Sequence, residues 1–381
     1  MRIGLIYLGR HGPGGPISLE LASQLAQKAD LFAVVSQSAD HIGYWRDSRL
    51  ALIEVPTFTT RLGAALSLLD TARLSRLARQ IAAFDPDVLL YPMVHPWTPA
   101  LQKRLKNVPA VITVHDPAAH PGLIHRLSSL WETKSAQSAS RCIVLAETFV
   151  ATMRAKGMAA EKIDVIPHPI FSFYDRFTKT SVAHRPARSI LFFGRITRYK
   201  GLDVLVEAFR IAQAKRPELR LNIVGEGDLE PYRHSISGID NVIVTNRWID
   251  DAEVPAIFQA ADIVVVPYTS ASQSGVIALA ASFRRPVIAT RVGAIPEQIR
   301  DEETGVLVEP GSAAALASAI ERLLADDALR MRTAERLGSE MRANCNWDIT
   351  SDLYLKSCRN AALEFRTLHC ALTGRGRSGP M

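Results

Sequence analysis

Short apolar runs alternate with helical patterns from one end of this chain to the other. The runs have the length of buried strands, and the segments between them carry apolar residues at helical spacing. Strands that alternate with helices in this way indicate repeated βαβ units, parallel sheets and an α/β fold class. The predicted strands are 3–8, 31–35, 52–55, 88–91, 110–114, 142–145, 164–166, 190–193, 220–224, 242–245, 262–266, 287–290 and 305–308. The predicted helices of the first half are 17–28, 62–83, 98–106, 123–138 and 147–156.

A chain of 381 residues is too long for one ordinary core and indicates two domains. A polar interval at 175–188 contains no predicted strand and is the candidate linker. We therefore predict two facing Rossmann-like doubly wound domains, 1–175 and 176–348, then a helix at 349–366 and a flexible tail at 373–381. Such domains bind ligands where the carboxyl ends of their strands open into the cleft between them, so we expect the site there.

The composition is that of a soluble globular protein, with 48% hydrophobic and 22% charged residues. No apolar run approaches the roughly 20 residues that a membrane span needs. Met1 leads directly into a strand-like run, without the pattern of a secretory signal. The cysteines are far apart and form no C-x-x-C, so we expect reduced thiols in a cytoplasmic protein. They are Cys142, Cys345, Cys358 and Cys370.

The formal net charge is +7, and most of the excess lies in the first half of the chain. A basic bias fits an anionic partner such as a nucleotide, a phosphorylated lipid or a membrane surface. A nucleic-acid partner is disfavoured, because the sequence has neither an RNP-type interleaving of aromatic and basic residues nor a basic helix-turn-helix pattern.

A strand, a loop and a helix follow one another in SILFFGRITRYKGLDVLVE, residues 189–207. The strand ends at Gly194, and the loop carries Arg195, Arg198 and Lys200 just before the helix. Free N–H groups and the helix dipole already favour an anion at a helix N-terminus. The segment therefore predicts a phosphate or diphosphate cradle, although the three charges could also be solvated loop residues.

A second anion site is predicted where a buried strand runs into a Ser-rich loop, within 264–297. The amides of Ser274, Gly275 and Val276 open the following helix and would form a phosphate nest. Two anion sites on one domain face support the cradle hypothesis better than either site alone.

Glycines also follow two other strands. Gly14 and Gly15 lie in the loop GRHGPGGP, and Gly225 and Gly227 lie in NIVGEGD. Glycine lets a backbone approach a ligand closely, although a plain turn explains these positions too. The first loop is not a G-x-G-x-x-G, so a nicotinamide oxidoreductase is disfavoured.

His115 ends a predicted strand, where its ring could hydrogen-bond a sugar hydroxyl or a developing charge, or simply cap the strand. His115, His120 and His125 are spaced by five, and Pro117 and Pro121 interrupt the segment. This spacing disfavours a metal site.

Asp85 and Asp87 form a bare D-x-D, a motif that holds a divalent cation in some transferases. They join a predicted helix to a predicted strand, where turn-forming residues are expected, so we interpret the motif as structural.

The predicted helix 62–83 has a leucine-rich stripe and an arginine-rich stripe. It could dock on anionic lipid, or its leucines could face the core while its arginines are solvated. The stripes comprise Leu62, Leu66, Leu69, Leu77 and Ile81, and Arg73, Arg76 and Arg79.

Five segments in this order resemble the nucleotide-sugar glycosyltransferases of family 4, which have the GT-B fold: GRITRYKGLDVLVEAF, LNIVGEGDLEPY, VVPYTSASQSGVIALA, RPVIATRVGAIPE and TGVLVEPG. The N-terminal glycine loop and VHDP match more loosely. The resemblance implies a retaining, metal-independent transfer that needs no cofactor. The donor would be a UDP- or GDP-linked sugar, and the acceptor a glycan or polyprenyl-linked molecule of surface polysaccharide or glycolipid assembly. The protein would be cytoplasmic, or peripheral on the inner face of the membrane.

The resemblance also implies roles for individual residues. Arg195 and Lys200 would neutralise the diphosphate, His115 would contact the donor sugar, and the final helix would cross back to the first domain. The leaving phosphate would itself take the acceptor proton on the same face, giving retention. The implied donor-binding residues are Gly14, Gly15, Gly194, Gly225, Gly227, Arg247, Trp248, Ile249, Gln273, Ser274, Gly275 and Val276.

The sequence departs from the family at two glutamates that usually hold the donor. Ala271 and Leu279 occupy these positions and cannot replace a carboxylate, whereas the amide of Gln273 could replace the first. A non-catalytic GT-B module that binds a nucleotide sugar or a partner enzyme is therefore an alternative. An epimerase or a phosphorylase of the same fold is disfavoured, since neither a catalytic carboxylate set nor a cofactor-binding lysine is evident.

Overall fold

The computed structural model describes residues 1–117, 123–178 and 189–373. They form two compact units, an N-terminal unit of Met1–Pro167 with Trp347–Met381 and a C-terminal unit of His168–Asn346. The first unit ends at Pro167, before the predicted boundary at 175/176. The residues that follow Pro167 already make hydrogen bonds to residues of the C-terminal unit. The amide of Ile170 donates to the Cys345 carbonyl at 2.9 Å. The predicted linker from residue 179 onward and the predicted tail from residue 374 lie outside the described residues.

The N-terminal unit is built on a seven-stranded parallel sheet with the order β3-β2-β1-β4-β5-β6-β7. The central strands are buried almost throughout, which is why they appear in the sequence as continuous apolar runs. The strands are β1 (Arg2–Tyr7), β2 (Asp30–Ser36), β3 (Ala51–Val55), β4 (Val88–Tyr91), β5 (Ala110–Val114), β6 (Arg141–Val144) and β7 (Ile163–Val165).

The helices of this unit connect successive strands, as βαβ units require. They are α1 (Gly14–Leu25), α2 (Ile42–Asp47), α3 (Arg61–Leu69), α4 (Thr71–Ala83), α5 (Thr98–Arg104), α6 (Leu123–Gln137) and α7 (Thr148–Ala155). The short helix α2 was not predicted from the sequence.

The prediction of one helix over 62–83 is wrong, because the helix is interrupted at Asp70. The Asp70 carboxylate accepts a hydrogen bond from the amide of Arg73 at 2.9 Å and so caps a new helix, α4. The leucine stripe is divided in consequence. Leu77 of α4 is buried in the core, whereas Leu66 and Leu69 of α3 are 57% and 75% exposed.

The C-terminal unit contains a six-stranded parallel sheet with the order β10-β9-β8-β11-β12-β13. Its strands are β8 (Ser189–Phe193), β9 (Arg220–Val224), β10 (Val242–Thr245), β11 (Ile263–Val266), β12 (Val287–Thr290) and β13 (Val306–Val308). Its helices are α8 (Leu202–Gln213), α9 (Arg233–Ile236), α10 (Val254–Ala260), α11 (Gly275–Ser282), α12 (Ile295–Gln298), α13 (Ala313–Ala325) and α14 (Asp327–Asn344). One face of the sheet packs on α8 and α13, whose apolar stripes complete the core.

All thirteen predicted strands are present, and each observed bound lies within one residue of the predicted one. The predicted fold class, two Rossmann-like domains with parallel sheets, is thereby observed at the level of each unit. No described helix combines the length and the apolar run that crossing a bilayer requires.

The last helix, α15 (Trp347–Thr373), belongs to the N-terminal unit and is held there by polar contacts as well as by packing. Arg141 forms a two-point ion pair with Asp164 at 2.7 Å and bonds Glu364 of α15 at 2.6 Å. The Ser357 hydroxyl donates to Asp164 at 2.6 Å. Burial alone would raise the pKa of Asp164, but the hydrogen bonds from Arg141 and Ser357 outweigh it and lower that pKa.

We expect Arg141→Met to destabilise the N-terminal unit by about 3 kcal/mol, because it leaves the carboxylate of Asp164 without its cation in a partly buried position. Denaturant unfolding followed by tryptophan fluorescence would measure this, since four of the five tryptophans lie in that unit. The matched control is Arg46→Met, which breaks a similar two-point pair with Glu54 at an arginine that is 56% exposed. Water screens that pair, so its loss should move the midpoint far less. Equal shifts for the two variants would contradict the assignment.

Candidate functional site in the C-terminal unit

Lys200 is the buried cation of the predicted cradle. Its side chain is 9% exposed, and its Nζ lies 5.0 Å from the centroid of the Tyr268 ring. A methyl group built on Gly194 would lie 3.0 Å from this Nζ and 3.9 Å from Cγ2 of Val276. The end of β8, the lysine ammonium and the start of α11 therefore meet at Gly194. A charge in such a setting acts more strongly on a ligand than one in open water.

Arg195 is exposed, in contrast to Lys200. Within the described part of the chain, its guanidinium makes no hydrogen bond or ion pair. The structure thus gives the two predicted cations different settings, one fixed by packing and one at the surface.

The glycines after β9 are explained by contacts between loops. Gly225 has a φ of +140°, and a Cβ at this residue would collide with the carbonyl of Gly194. A Cβ on Gly227 would collide with the carbonyl of Ile196. The amide of Ile196 donates to the Glu226 carbonyl at 2.8 Å, which ties the two loops together. The glycines permit this close approach whether or not a ligand is present.

The start of α11 corrects one part of the predicted phosphate nest. The amide of Ser274 is not free, because it donates to Oε1 of Gln298 at 2.8 Å. Nε2 of Gln298 in turn donates to the Ser274 carbonyl at 3.2 Å. The amides of Gly275 and Val276 open the helix and donate to no acceptor among the described residues, as expected for the first turn.

Gln298 is a residue that the sequence did not identify. Its side chain bonds both backbone groups of Ser274, much as a neighbouring strand would, and so fixes the direction in which α11 begins. The short helix α12 contains two polar residues, Glu297 and Gln298, and nothing in its sequence predicts a partner for either.

The positions of the missing glutamates are apolar and buried. Ala271 and Leu279 are 7% and 5% exposed. Between them, Oε1 of Gln273 is buried and accepts no hydrogen bond from any described residue. A buried acceptor without a donor is costly, so this atom is suited to a ligand hydroxyl or a water molecule.

The loop after β10 carries three of the residues that the family resemblance implies in donor binding. Arg247 is committed to Glu253 by two hydrogen bonds of 2.8 and 2.7 Å, and this pairing lowers the pKa of the glutamate. Trp248 is 40% exposed and Ile249 is 7% exposed. The exposed indole is thus the surface that this loop offers for stacking.

In the N-terminal unit, Gly14 and Gly15 are buried in the first turn of α1 rather than in the preceding loop. A Cβ on Gly14 would lie 3.1 Å from Met93, and one on Gly15 would collide with the ring of His41. Packing within the unit therefore accounts for both glycines.

His115 follows β5, and its Nε2–H donates to the carbonyl of Pro92 at 2.8 Å. Burial lowers the pKa of the imidazole, outweighing the opposite effects of this hydrogen bond and of Asp116. The ring is therefore neutral at pH 7, and its free Nδ1 is an acceptor. Such a ring can accept a hydrogen bond from a sugar hydroxyl but offers no second proton to an anion.

A half-buried carboxyl group on α6, Glu132, which interacts with Asp116, was not predicted. The pKa of Glu132 is raised to about 8, because burial and the nearby charge of Asp116 raise it more than Lys156 lowers it. The ammonium of Lys156 donates to the carbonyl of Pro117 at 2.7 Å. The segment after β5 thus provides a neutral imidazole, and α6 provides a carboxyl group that resists ionisation.

The two remaining motif predictions concern metals. Asp85 adopts a φ of +49°, and the Asp87 carboxylate accepts a hydrogen bond from the amide of Arg2 at 2.9 Å and pairs with Arg366, in keeping with a structural D-x-D.

Among the described residues, no three His, Cys, Asp or Glu side chains are placed to share a metal ion. His120 and the side chain of His125 lie outside the described residues.

Comparison with known proteins assigns both halves of the chain. Residues 187–326 match the family described as "Glycosyl transferases group 1", and residues 12–169 match "Glycosyl transferase 4-like domain". D-inositol 3-phosphate glycosyltransferase of Paenarthrobacter aurescens is 31% identical over an alignment of 281 positions, which covers 68% of this chain and 68% of that protein. The chain belongs to the group 1 glycosyltransferases.

A second relative of this chain, from Pseudarthrobacter chlorophenolicus, has the same name, D-inositol 3-phosphate glycosyltransferase. It is 32% identical over an alignment of 281 positions, which covers 67% of this chain and 66% of that protein. The chain thus spans about two thirds of the length of these curated relatives.

The crystal structure of Anabaena HepE in complex with UDP and glucose shares the fold of this group 1 glycosyltransferase, with a TM-score of 0.73 and 16% identity. The match covers 94% of this chain and 99% of that one. This likeness confirms the predicted GT-B fold class. The comparisons give no support to the alternative of a non-catalytic module.

We expect His115 to titrate below its ordinary value of about 6.5, because burial opposes the charged ring. Since the folded pKa is the lower one, the unfolded state binds the proton more readily, and stability falls as the pH drops from about 6.5 towards the folded pKa. The ring stays neutral at pH 7. Nitrogen NMR of the imidazole would show Nε2 protonated and Nδ1 bare at pH 7. A midpoint at or above 6.5, or the opposite tautomer, would contradict the assignment.

Proposed function

We propose that this protein transfers a sugar, with retention of configuration, from a nucleotide diphosphate sugar to a glycan or lipid-linked acceptor. The observation that carries the proposal is the meeting of the Lys200 ammonium and the start of α11 at Gly194. A fixed cation and free helix-terminal amides suit the diphosphate of a sugar nucleotide. Family membership supports the same reaction class.

The donor is proposed to be UDP- or GDP-linked, with UDP favoured because HepE binds UDP and glucose. The diphosphate would accept hydrogen bonds from Lys200, Arg195 and the amides of Gly275 and Val276. The base would lie against Trp248, whose indole is partly exposed. No metal or organic cofactor is required by this arrangement, since side-chain cations and amides neutralise the leaving group.

The difficult step is departure of the diphosphate from an anomeric carbon that gains positive character. Positioned cations and amides stabilise the charge that grows on the leaving oxygen, and this electrostatic contribution is usually the largest in such sites. The leaving phosphate would take the acceptor proton on the same face, which accounts for retention. His115 would accept a hydrogen bond from a hydroxyl of the transferred sugar through Nδ1, and Gln273 would do so through its unpaired Oε1.

The acceptor is proposed to be a glycan or a polyprenyl-linked molecule in surface polysaccharide or glycolipid assembly. The relatives' name adds a phosphorylated polyol to the acceptors to be tested. Location in the cytoplasm, or on the inner face of the membrane, belongs to the same proposal.

We expect Lys200→Met to lower kcat by roughly two to three orders of magnitude, because it removes one preorganised charge while keeping the apolar stem. The assay measures sugar transfer from UDP-, GDP- and ADP-linked donors, with thermal shift by each nucleotide as a second readout. The matched control is Lys215→Met, which changes an exposed lysine of the same unit that pairs with Glu321. Unaltered turnover in Lys200→Met would refute the role. Absence of a thermal shift by every nucleotide would refute the donor proposal.

Docking on anionic lipid is proposed through the exposed parts of α3 and α4. Leu66 and Leu69 supply apolar surface, and Arg76 and Arg79 are exposed and basic. Arg73 is less available, since its guanidinium lies 5.5 Å from the centroid of the Trp97 ring.

We expect Arg76→Glu/Arg79→Glu to reduce flotation with vesicles that contain anionic lipid, and high salt to reduce wild-type flotation similarly. The control Arg154→Glu/Lys162→Glu makes the same change of charge at exposed positions of the same unit. Equal flotation of the two variants would show that this face makes no electrostatic contact with lipid.

A further inference from the structure

A cavity of about 530 Å³ lies within the N-terminal unit, at the amino ends of its central strands. Its lining includes Ala110, the first residue of β5, and Ser140, which precedes β6. His115 follows the other end of β5. The rise per residue of an extended strand places it about 16 Å from Ala110. The cavity is therefore separate from the edge that carries the candidate site residues of this unit.

Three lysines surround this cavity. Lys103, Lys106 and Lys134 are exposed members of its lining, which contains no carboxylate. None of the three forms an ion pair with a described residue. The carboxylate of Glu364, next to the lining residue Phe365, is already bound to Arg141. The positive charge at this cavity is thus uncompensated by the protein, and it favours an anionic ligand.

One residue of the same lining carries a buried acceptor without a donor. Gln102 lines it and is only 8% exposed. Its Nε2 donates to the Ser135 carbonyl at 3.0 Å, whereas its Oε1 accepts no hydrogen bond from any described residue. An unpaired buried acceptor is costly, so a hydroxyl group from a bound molecule would be stabilising here.

The remaining wall is apolar and includes Leu89, Val108 and Phe365. We propose that the cavity binds a small organic phosphate with hydroxyl groups, such as a sugar phosphate. The phosphate would lie among the three lysines, a hydroxyl would donate to Oε1 of Gln102, and the carbon skeleton would pack on Phe365. A flat membrane surface suits the site less well, because Gln102 is recessed.

Isothermal titration calorimetry with glucose 6-phosphate tests this site, with glucose and inorganic phosphate as probes that each lack one half of the ligand. We expect glucose 6-phosphate to bind the full-length protein more tightly than either probe. In Lys106→Ala/Lys134→Ala the affinity should fall by about tenfold for each lysine, the usual scale for a lost charged hydrogen bond. Both lysines are exposed, so the variant should remain folded. The control is Lys162→Ala, at an exposed lysine outside the lining.

Titration of Lys200→Met separates this cavity from the donor site of the other unit. Binding that persists in Lys200→Met and is lost in Lys106→Ala/Lys134→Ala supports the proposal. The proposal is overturned by absence of binding at millimolar concentrations, by binding that the two alanines leave unchanged, or by equal loss in Lys162→Ala. It is also overturned by preferential binding to vesicles that display a phosphorylated headgroup, since the occupant would then be a lipid surface.

Discussion

The site geometry of the C-terminal unit depends on backbone contacts that only glycine allows. The loop after β8 lies directly on the loop after β9, because neither Gly225 nor Gly227 has a Cβ to hold them apart. Gly201 has a φ of +65° and packs against the carbonyl of Pro267 in the loop after β11. Three strand ends are thereby drawn together, and this close packing leaves Lys200 little freedom. A cation held in this way loses little entropy when it binds an anion.

The two units offer different chemistry at the carboxyl ends of their strands. The C-terminal unit presents a fixed ammonium and helix-terminal amides, which favour negative charge. The N-terminal unit presents a neutral imidazole at His115 and a carboxyl group, Glu132, whose pKa burial raises to about 8. These groups favour hydroxyls over phosphates. Burial accounts for this chemistry, because a glutamate at the surface would be ionised at pH 7 and a histidine there would be partly protonated.

Much of the fold could be predicted from the sequence, because parallel strands buried on both faces must be short, apolar and bounded by loops. The break at Asp70 could not, since an aspartate within a helical pattern is equally compatible with a solvated surface position. The bonds between Gln298 and Ser274 join residues far apart in the chain, and no local pattern encodes such a pair. The motif glycines were found, but sequence alone could not distinguish packing against Met93 or His41 from contact with a ligand.

The position of α15 has a consequence for folding during synthesis on the ribosome. The first unit to be synthesised lacks its closing element until the second has been made, because that element starts at Trp347. Tyr354, whose hydroxyl lies 3.1 Å from that of Thr113 in β5, is among the last contacts to become available. The nascent N-terminal half therefore remains incomplete, with β4 and β5 uncovered where α15 will pack, while the C-terminal half can finish folding ahead of it.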